Sequence, residues 1–209
     1  EKFKGVSGAE RTFNQALLKG DNVNVSLDLR VQYAVREELI KSSIKYNAKS
    51  ATAIIANINT GEILSLVSIP DYNPNLSIDP KSISYRNTAT LNLYEMGSTF
   101  KIFSIAAAIE KTGINLDTKF DARKPIKISN FMIKDYHPQN KFLSTKEIFL
   151  KSSNIGSSLI ALHLGNKKLK NFYKDLGLLS SSKINLLEKS RPIVPKKWGK
   201  VETATLSYG

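Results

Sequence analysis

Residues 51–58 and 63–69 are runs rich in β-branched and apolar residues, separated by Asn59-Thr60-Gly61-Glu62. A polar spacer of four residues that includes a glycine predicts a hairpin, so the two runs are expected to be central strands of an antiparallel sheet. No room exists between them for the helical crossover that parallel strands need. Elsewhere the apolar spacing is helical: Val31, Val35, Leu39 and Ile40 after a capping Asp28, the run 102–109, and Ile155, Leu159, Ile160 and Leu162. An antiparallel strand pair accompanied by helices is expected to form an α+β fold, an antiparallel sheet flanked by helices. The chain has 209 residues, 41% of them hydrophobic, enough to bury a substantial core.

Other local signals fill in the order of elements. Phe13, Leu17 and Leu18 have helical spacing and stop at Gly20, and residues 23–27 alternate like a strand. Ser144-Thr145-Lys146-Glu147 is a capping-box pattern ahead of a short helix, and a further helix is expected from Lys167 to near Gly177. The stretch 70–75, with Pro70 and Pro74, breaks the strand pattern.

The chemistry is concentrated at Ser98-Thr99-Phe100-Lys101, between Gly97 and the apolar run 102–109. A serine and a lysine three apart on a helix share a face, so the amine of Lys101 can reach the hydroxyl of Ser98. Serine becomes nucleophilic only when a base takes its proton, and lysine can be that base only when burial or a nearby cation lowers its pKa from about 10.4. Gly97 permits a tight approach, and Ser98 at the helix start faces unpaired backbone N–H groups suited to a developing oxyanion. A solvated helix start accounts for most isolated copies of this pattern. A second signal decides: Ser152 and Asn154 form an S-x-N triplet, the partner of S-x-x-K in penicillin-binding serine acyltransferases. Helix capping by Ser and Asn is its plainer explanation.

These residues carry a family resemblance. The segments 94–101 and 152–156 resemble the transpeptidase domain of class B penicillin-binding proteins, most closely the septal, cell-division branch. Residues 5–10, 26–32, 59–64 and 86–90 resemble further segments of that family in the same order, so nearly the whole chain is covered; Met96 stands where many members have proline. The resemblance implies a penicillin-binding transpeptidase/β-lactamase-like fold, with residues 1–22 as the tail of the pedestal (dimerisation) domain and 23–209 as the N-terminal part of the transpeptidase domain, truncated at the C-terminus. It implies that Ser98 attacks peptidoglycan stem peptides, with Lys101 as general base. Ser152 would relay the proton and Asn154 would bind the substrate amide and hold Lys101. β-Lactam antibiotics would acylate the same serine, and division-complex membrane proteins would be partners on the outer, periplasmic face of the cytoplasmic membrane. No metal or organic cofactor is implied. Two alternatives stand beside this: a serine β-lactamase, and a non-catalytic interaction module of the division complex.

Composition narrows the choice. There are no cysteines and only two histidines, His137 and His163, so thiolate metal sites are excluded and a histidine-based triad is poorly supplied. The formal net charge is +13, but its lysines are scattered and no groove-reading motif accompanies them, which argues against nucleic acid. The family's third signature, K-T-G, occurs at Lys111-Thr112-Gly113. That copy ends the helix that Ser98 begins, roughly 20 Å away at 1.5 Å per residue. Lysine followed by glycine is an ordinary helix end. It is therefore rejected as catalytic, and the working copy is expected beyond residue 209, so that these residues alone are expected to be inactive.

Overall fold

The computed structural model describes residues 4–76, 79 and 81–209. The chain divides into two compact units, one of residues 1–93 with 182–190 and the other of 94–181 with 191–209.

In the first unit the short helices α1 (Gly8–Thr12) and α2 (Asn14–Lys19) lead in, α2 ending on Gly20 in the left-handed region. Helix α3 (Leu29–Lys45) begins where Asp28 caps it, Oδ1 accepting from the Arg30 and Val31 amides at 2.9 and 3.5 Å. Strands β1 (Ala51–Ala56) and β2 (Ile63–Ile69) pair antiparallel, Ala51 opposite Ile69, with an irregularity at Ile55/Ala56 that ends β1 before Ile58. The turn is held by the Asn57 carboxamide, whose oxygen accepts from the Asn59 amide at 2.9 Å. Helix α4 (Thr88–Leu91) follows, capped by Asn87.

Two expectations fail here. Residues 23–27 form no strand: the Ser26 hydroxyl, not its backbone, donates to the Ile63 carbonyl at 2.8 Å, and only Asp28 makes a backbone bond, to Leu64. Nor are β1 and β2 central, since among the described residues their sheet has two strands. On the outer edge of β2 the Gln32 side chain substitutes for a strand. Its Nε2 donates to the Leu66 carbonyl and its Oε1 accepts from the Leu66 amide, both at 2.9 Å.

The second unit is built on α5 (Lys101–Thr112). Two small antiparallel pairs follow: β3 (Lys119–Asp121) with β6 (Phe142–Ser144), enclosing β4 (Ile126–Ile128) with β5 (Phe131–Ile133). Strands of three residues fall below the length at which periodicity is readable. Helix α6 (Thr145–Leu150) starts with the expected capping box, Ser144 Oγ accepting from the Glu147 amide at 3.1 Å while Glu147 accepts from the Ser144 amide at 2.9 Å. Helices α7 (Asn154–Leu164), α8 (Asn166–Asp175) and α9 (Lys200–Thr205) complete the unit. Its core joins Ala107 and Ala108 of α5, Ile148 of α6, Ile160 and Ala161 of α7, Leu169 of α8 and Ala204 of α9, each buried. Ala107 and Ala108 of α5 and Ala161 of α7 are fully buried in this core. Among the described residues no helix is long and apolar enough to cross a membrane.

Candidate active site

Gly97 has φ 57°, in the left-handed region that glycine adopts without steric cost, and the chain turns there into Gly97–Phe100, a 3₁₀ turn that runs directly into α5. The α-helix therefore opens at Lys101 rather than Ser98. The tighter turn improves the geometry. With three residues per turn, side chains at i and i+3 eclipse, and Lys101 Nζ lies 2.7 Å from Ser98 Oγ.

The S-x-N triplet is presented by the junction of α6 and α7. Lys151 ends α6, Ser152 follows with φ 53°, and the amides of Ser152 and Ser153 return to the carbonyls of Phe149 and Ile148 at 3.2 and 3.0 Å. This is a Schellman closure, whose left-handed position is usually glycine. A serine there costs roughly 1–2 kcal/mol of backbone strain, and its hydroxyl is what the position gains. Ser153 then caps α7, its Oγ accepting from the Gly156 amide at 2.9 Å, and Asn154 is the first residue of that helix.

All four candidate residues meet. Lys101 Nζ lies 2.9 Å from Ser152 Oγ and 2.8 Å from Asn154 Oδ1, and Ser152 Oγ lies 2.8 Å from Ser98 Oγ. The three partners suit both protonation states of the amine. An ammonium donates to all three, while a neutral amine donates to Asn154 and Ser152 and accepts the Ser98 proton on its lone pair. Lys101 is 1% exposed. Burial pushes its pKa below the ordinary lysine value, and the Asp135 carboxylate pulls the other way. Desolvation is the larger effect, so the neutral base is more accessible here than on a surface lysine.

Asp135 went unseen in the sequence because it lies in a polar loop with no spacing pattern. It is buried, accepts from Ser153 Oγ at 2.8 Å and from the Ile155 amide at 2.9 Å, and so pins the turn that presents Ser152 and Asn154. Asn154 Nδ2 donates to the neighbouring Lys134 carbonyl at 3.3 Å, which orients its oxygen toward Lys101. The available signal was Ser153, the middle residue of the triplet, whose hydroxyl needs a partner once it is buried.

Lys111 is not part of this cluster. It sits near the other end of α5, paired with Glu110 at 2.5 Å; Thr112 Oγ1 donates to the Ala108 carbonyl and Gly113 closes the helix with φ 74°. Lys111-Thr112-Gly113 is a helix end, as its spacing indicated.

A mixed helix and antiparallel-sheet fold that buries a lysine between two serine hydroxyls and an asparagine defines a protein built like a serine acyltransferase. Residues 51–209 match the penicillin binding protein transpeptidase domain, and the chain belongs to that family. It is similar to the probable peptidoglycan D,D-transpeptidase FtsI of Caulobacter vibrioides, 36% identical over 99% of this chain and 36% of that protein. The Escherichia coli K12 peptidoglycan D,D-transpeptidase FtsI is 32% identical over 90% of this chain and 32% of that protein. The chain thus spans about a third of the length of these curated relatives. Among solved structures, the TP domain of Burkholderia pseudomallei penicillin-binding protein 3 superposes with a TM-score of 0.75 at 27% identity, covering 88% of this chain and 52% of that one. A Burkholderia ambifaria protein described as a peptidoglycan glycosyltransferase superposes with a TM-score of 0.77, also at 27% identity, over 89% of this chain and 55% of that one.

Proposed function

We propose that the chain carries the nucleophile, base and S-x-N elements of a peptidoglycan D,D-transpeptidase acting in cell division. The observation that carries the reading is Lys101, buried and within hydrogen-bond distance of Ser98, Ser152 and Asn154 at once.

In this reading neutral Lys101 takes the Ser98 proton as Oγ attacks the carbonyl of the penultimate D-alanine of a stem peptide. The C–N bond to the terminal D-alanine breaks, and the proton leaves with that amine through Ser152, which is within reach of both Ser98 and Lys101. An amine of a second stem then attacks the acyl ester, returning Ser98 and completing the cross-link. Asn154 holds the base and offers its amide to the substrate. β-Lactam antibiotics acylate Ser98 by the same attack. We assign residues 1–22 to the tail of a pedestal domain, of which 1–3 lie outside the described residues, and 23–209 to the transpeptidase domain. The setting is the outer face of the cytoplasmic membrane, with division-complex membrane proteins as partners.

The test is fluorescent penicillin labelling of the complete gene product and its Ser98→Ala variant. A stable label that disappears with Ser98→Ala is expected. Absence of any label would indicate a docking module, and rapid loss of label a β-lactamase; either overturns the reading.

A further inference from the structure

The turn that presents Ser98 is touched from behind by a segment that none of the motifs includes. After α9 the chain runs through Leu206, Ser207, Tyr208 and Gly209, and hydroxyls from three different helices hold one carbonyl at the end of α9 and two in this segment. Ser158 Oγ donates to the Ala204 carbonyl at 3.2 Å, the Tyr173 hydroxyl to Leu206 at 2.8 Å, and Ser104 Oγ to Ser207 at 2.8 Å. Two of these bonds are buried and the one to Leu206 is partly buried, and hydroxyls donating to such carbonyls hold a backbone in place because an unpaired carbonyl there is costly.

That segment meets the nucleophile's turn and the lysine after it directly at Gly209 and Tyr208, and indirectly through Tyr173. A Cβ placed on Gly209 would fall on the Gly97 backbone, 2.5 Å from its Cα and nearer still to its N and O. Gly209 also has φ 98°, in the region that favours glycine. The Phe100 ring packs edge-on against Tyr173, centroids 5.3 Å apart, and Tyr173 is the side chain that holds Leu206. The Tyr208 ring lies with its centroid 5.9 Å from Lys101 Nζ, within reach of a cation–π contact.

We propose that residues 206–209 are a backstop for the nucleophile's turn, in which Gly209 positions Ser98 through Gly97 and Tyr208 shields the Lys101 amine from water. The inference rests on the acyl-transfer reading above. Moving Ser98 by the width of a methyl group is the kind of displacement that slows acylation while leaving the overall fold in place. Uncovering the amine lets water solvate the ammonium and favours the charged form. The groups that face Lys101 are the hydroxyls of Ser98 and Ser152, the Asn154 amide, the Asp135 carboxylate and the Tyr208 phenol. Burial raises the phenol pKa, so it is neutral wherever acylation is measured. The ring's own attraction for a cation pulls in the opposite direction and is the smaller effect for a buried amine.

The experiment compares acylation of the complete gene product by fluorescent penicillin with that of Gly209→Ala, Tyr208→Ala and Tyr208→Phe, across pH and at saturating drug, with circular dichroism to check folding. Gly209→Ala is expected to slow the acylation step at saturation about 10- to 100-fold. Tyr208→Ala is expected to move the pH midpoint of acylation upward, and Tyr208→Phe, which keeps the ring, to bring it back. Wild-type acylation by Gly209→Ala overturns the backstop. Should Gly209→Ala fail to fold, Tyr208→Ala decides alone: a raised midpoint supports the inference and an unchanged one overturns it. No label on the unsubstituted protein overturns the acyl-transfer reading and this inference with it, whereas normal labelling with wild-type variants overturns this inference only.

Discussion

The two ends of α5 each carry a lysine, and they behave oppositely. Lys101 is 1% exposed, bonded to two hydroxyls and a carboxamide oxygen, and burial lowers its pKa. Lys111 has a side chain 43% exposed and is bonded to Glu110, whose hydrogen bond and charge hold its pKa above the ordinary value. Residue type and helix are the same; the surroundings decide whether the amine gives up its proton more or less readily than a free lysine. The N-terminal end of the helix is covered by the α6–α7 junction, and neutral oxygen partners stabilise an amine without charging it. The C-terminal end meets solvent, where a cation suits the exposed carbonyls.

The sharpest way to break the comparison is to exchange the fates of the two lysines. Ser98→Ala is expected to abolish stable penicillin labelling, and Lys101→Ala to slow it by about 10²- to 10⁴-fold, the span of a general base. Lys111→Ala should label within about twofold of wild type, since an exposed ion pair of this kind contributes little. Slow labelling by Lys111→Ala would reinstate Lys111-Thr112-Gly113 as a working motif.

Ser152→Gly separates chemistry from backbone. Glycine relieves the left-handed strain, so the unfolding free energy should hold or rise by up to about 1–2 kcal/mol, while acylation falls by about 10²-fold or more with loss of the relay hydroxyl. Equal loss of stability and rate would show that the hydroxyl is structural.

Asp135→Asn tests the electrostatic half. Its carboxylate raises the Lys101 pKa against the larger effect of burial. Removing the negative charge lets the amine lose its proton more readily, so the pH midpoint of acylation is expected to move down. A midpoint that moves up would mean that the turn has opened and the amine has become hydrated.

The smallest effect concerns the helix that carries the turn. Ser144→Ala removes the cap of α6 and should cost about 1 kcal/mol in chemical denaturation. Glu147, the other half of the capping box, is held to about 2 by Lys141 and the Ser144 amide. A depressed carboxylate stabilises the fold above its unfolded value and loses that contribution as pH falls through the folded one. The stability that Glu147 adds is therefore expected to disappear between about 4.5 and about 2.

Much of this was legible in the residues. Asp28, Ser144 with Glu147, and Gly113 marked helix ends because capping is a contact within four residues. The hairpin turn at 59–62 and the i, i+3 pairing of Ser98 with Lys101 are local for the same reason. At β2 the central-strand expectation failed where Gln32, a side chain from a helix 34 positions away, satisfies the Leu66 amide. Alternation along residues 23–27 says nothing about whether an amide will find a partner.

By itself, then, the sequence determined which residues could do the chemistry, since Ser98-Thr99-Phe100-Lys101 and Ser152-Ser153-Asn154 need only chain geometry to present their side chains. Whether Lys101 loses its proton more readily than a surface lysine was decided by tertiary structure alone. Its burial, the Asp135 pin on the α6–α7 junction and the Tyr208–Gly209 segment against Gly97 join residues 18 to 112 positions apart in the chain. A pKa depends on solvent exclusion and on charges several ångströms away, and neither is a property of neighbouring letters.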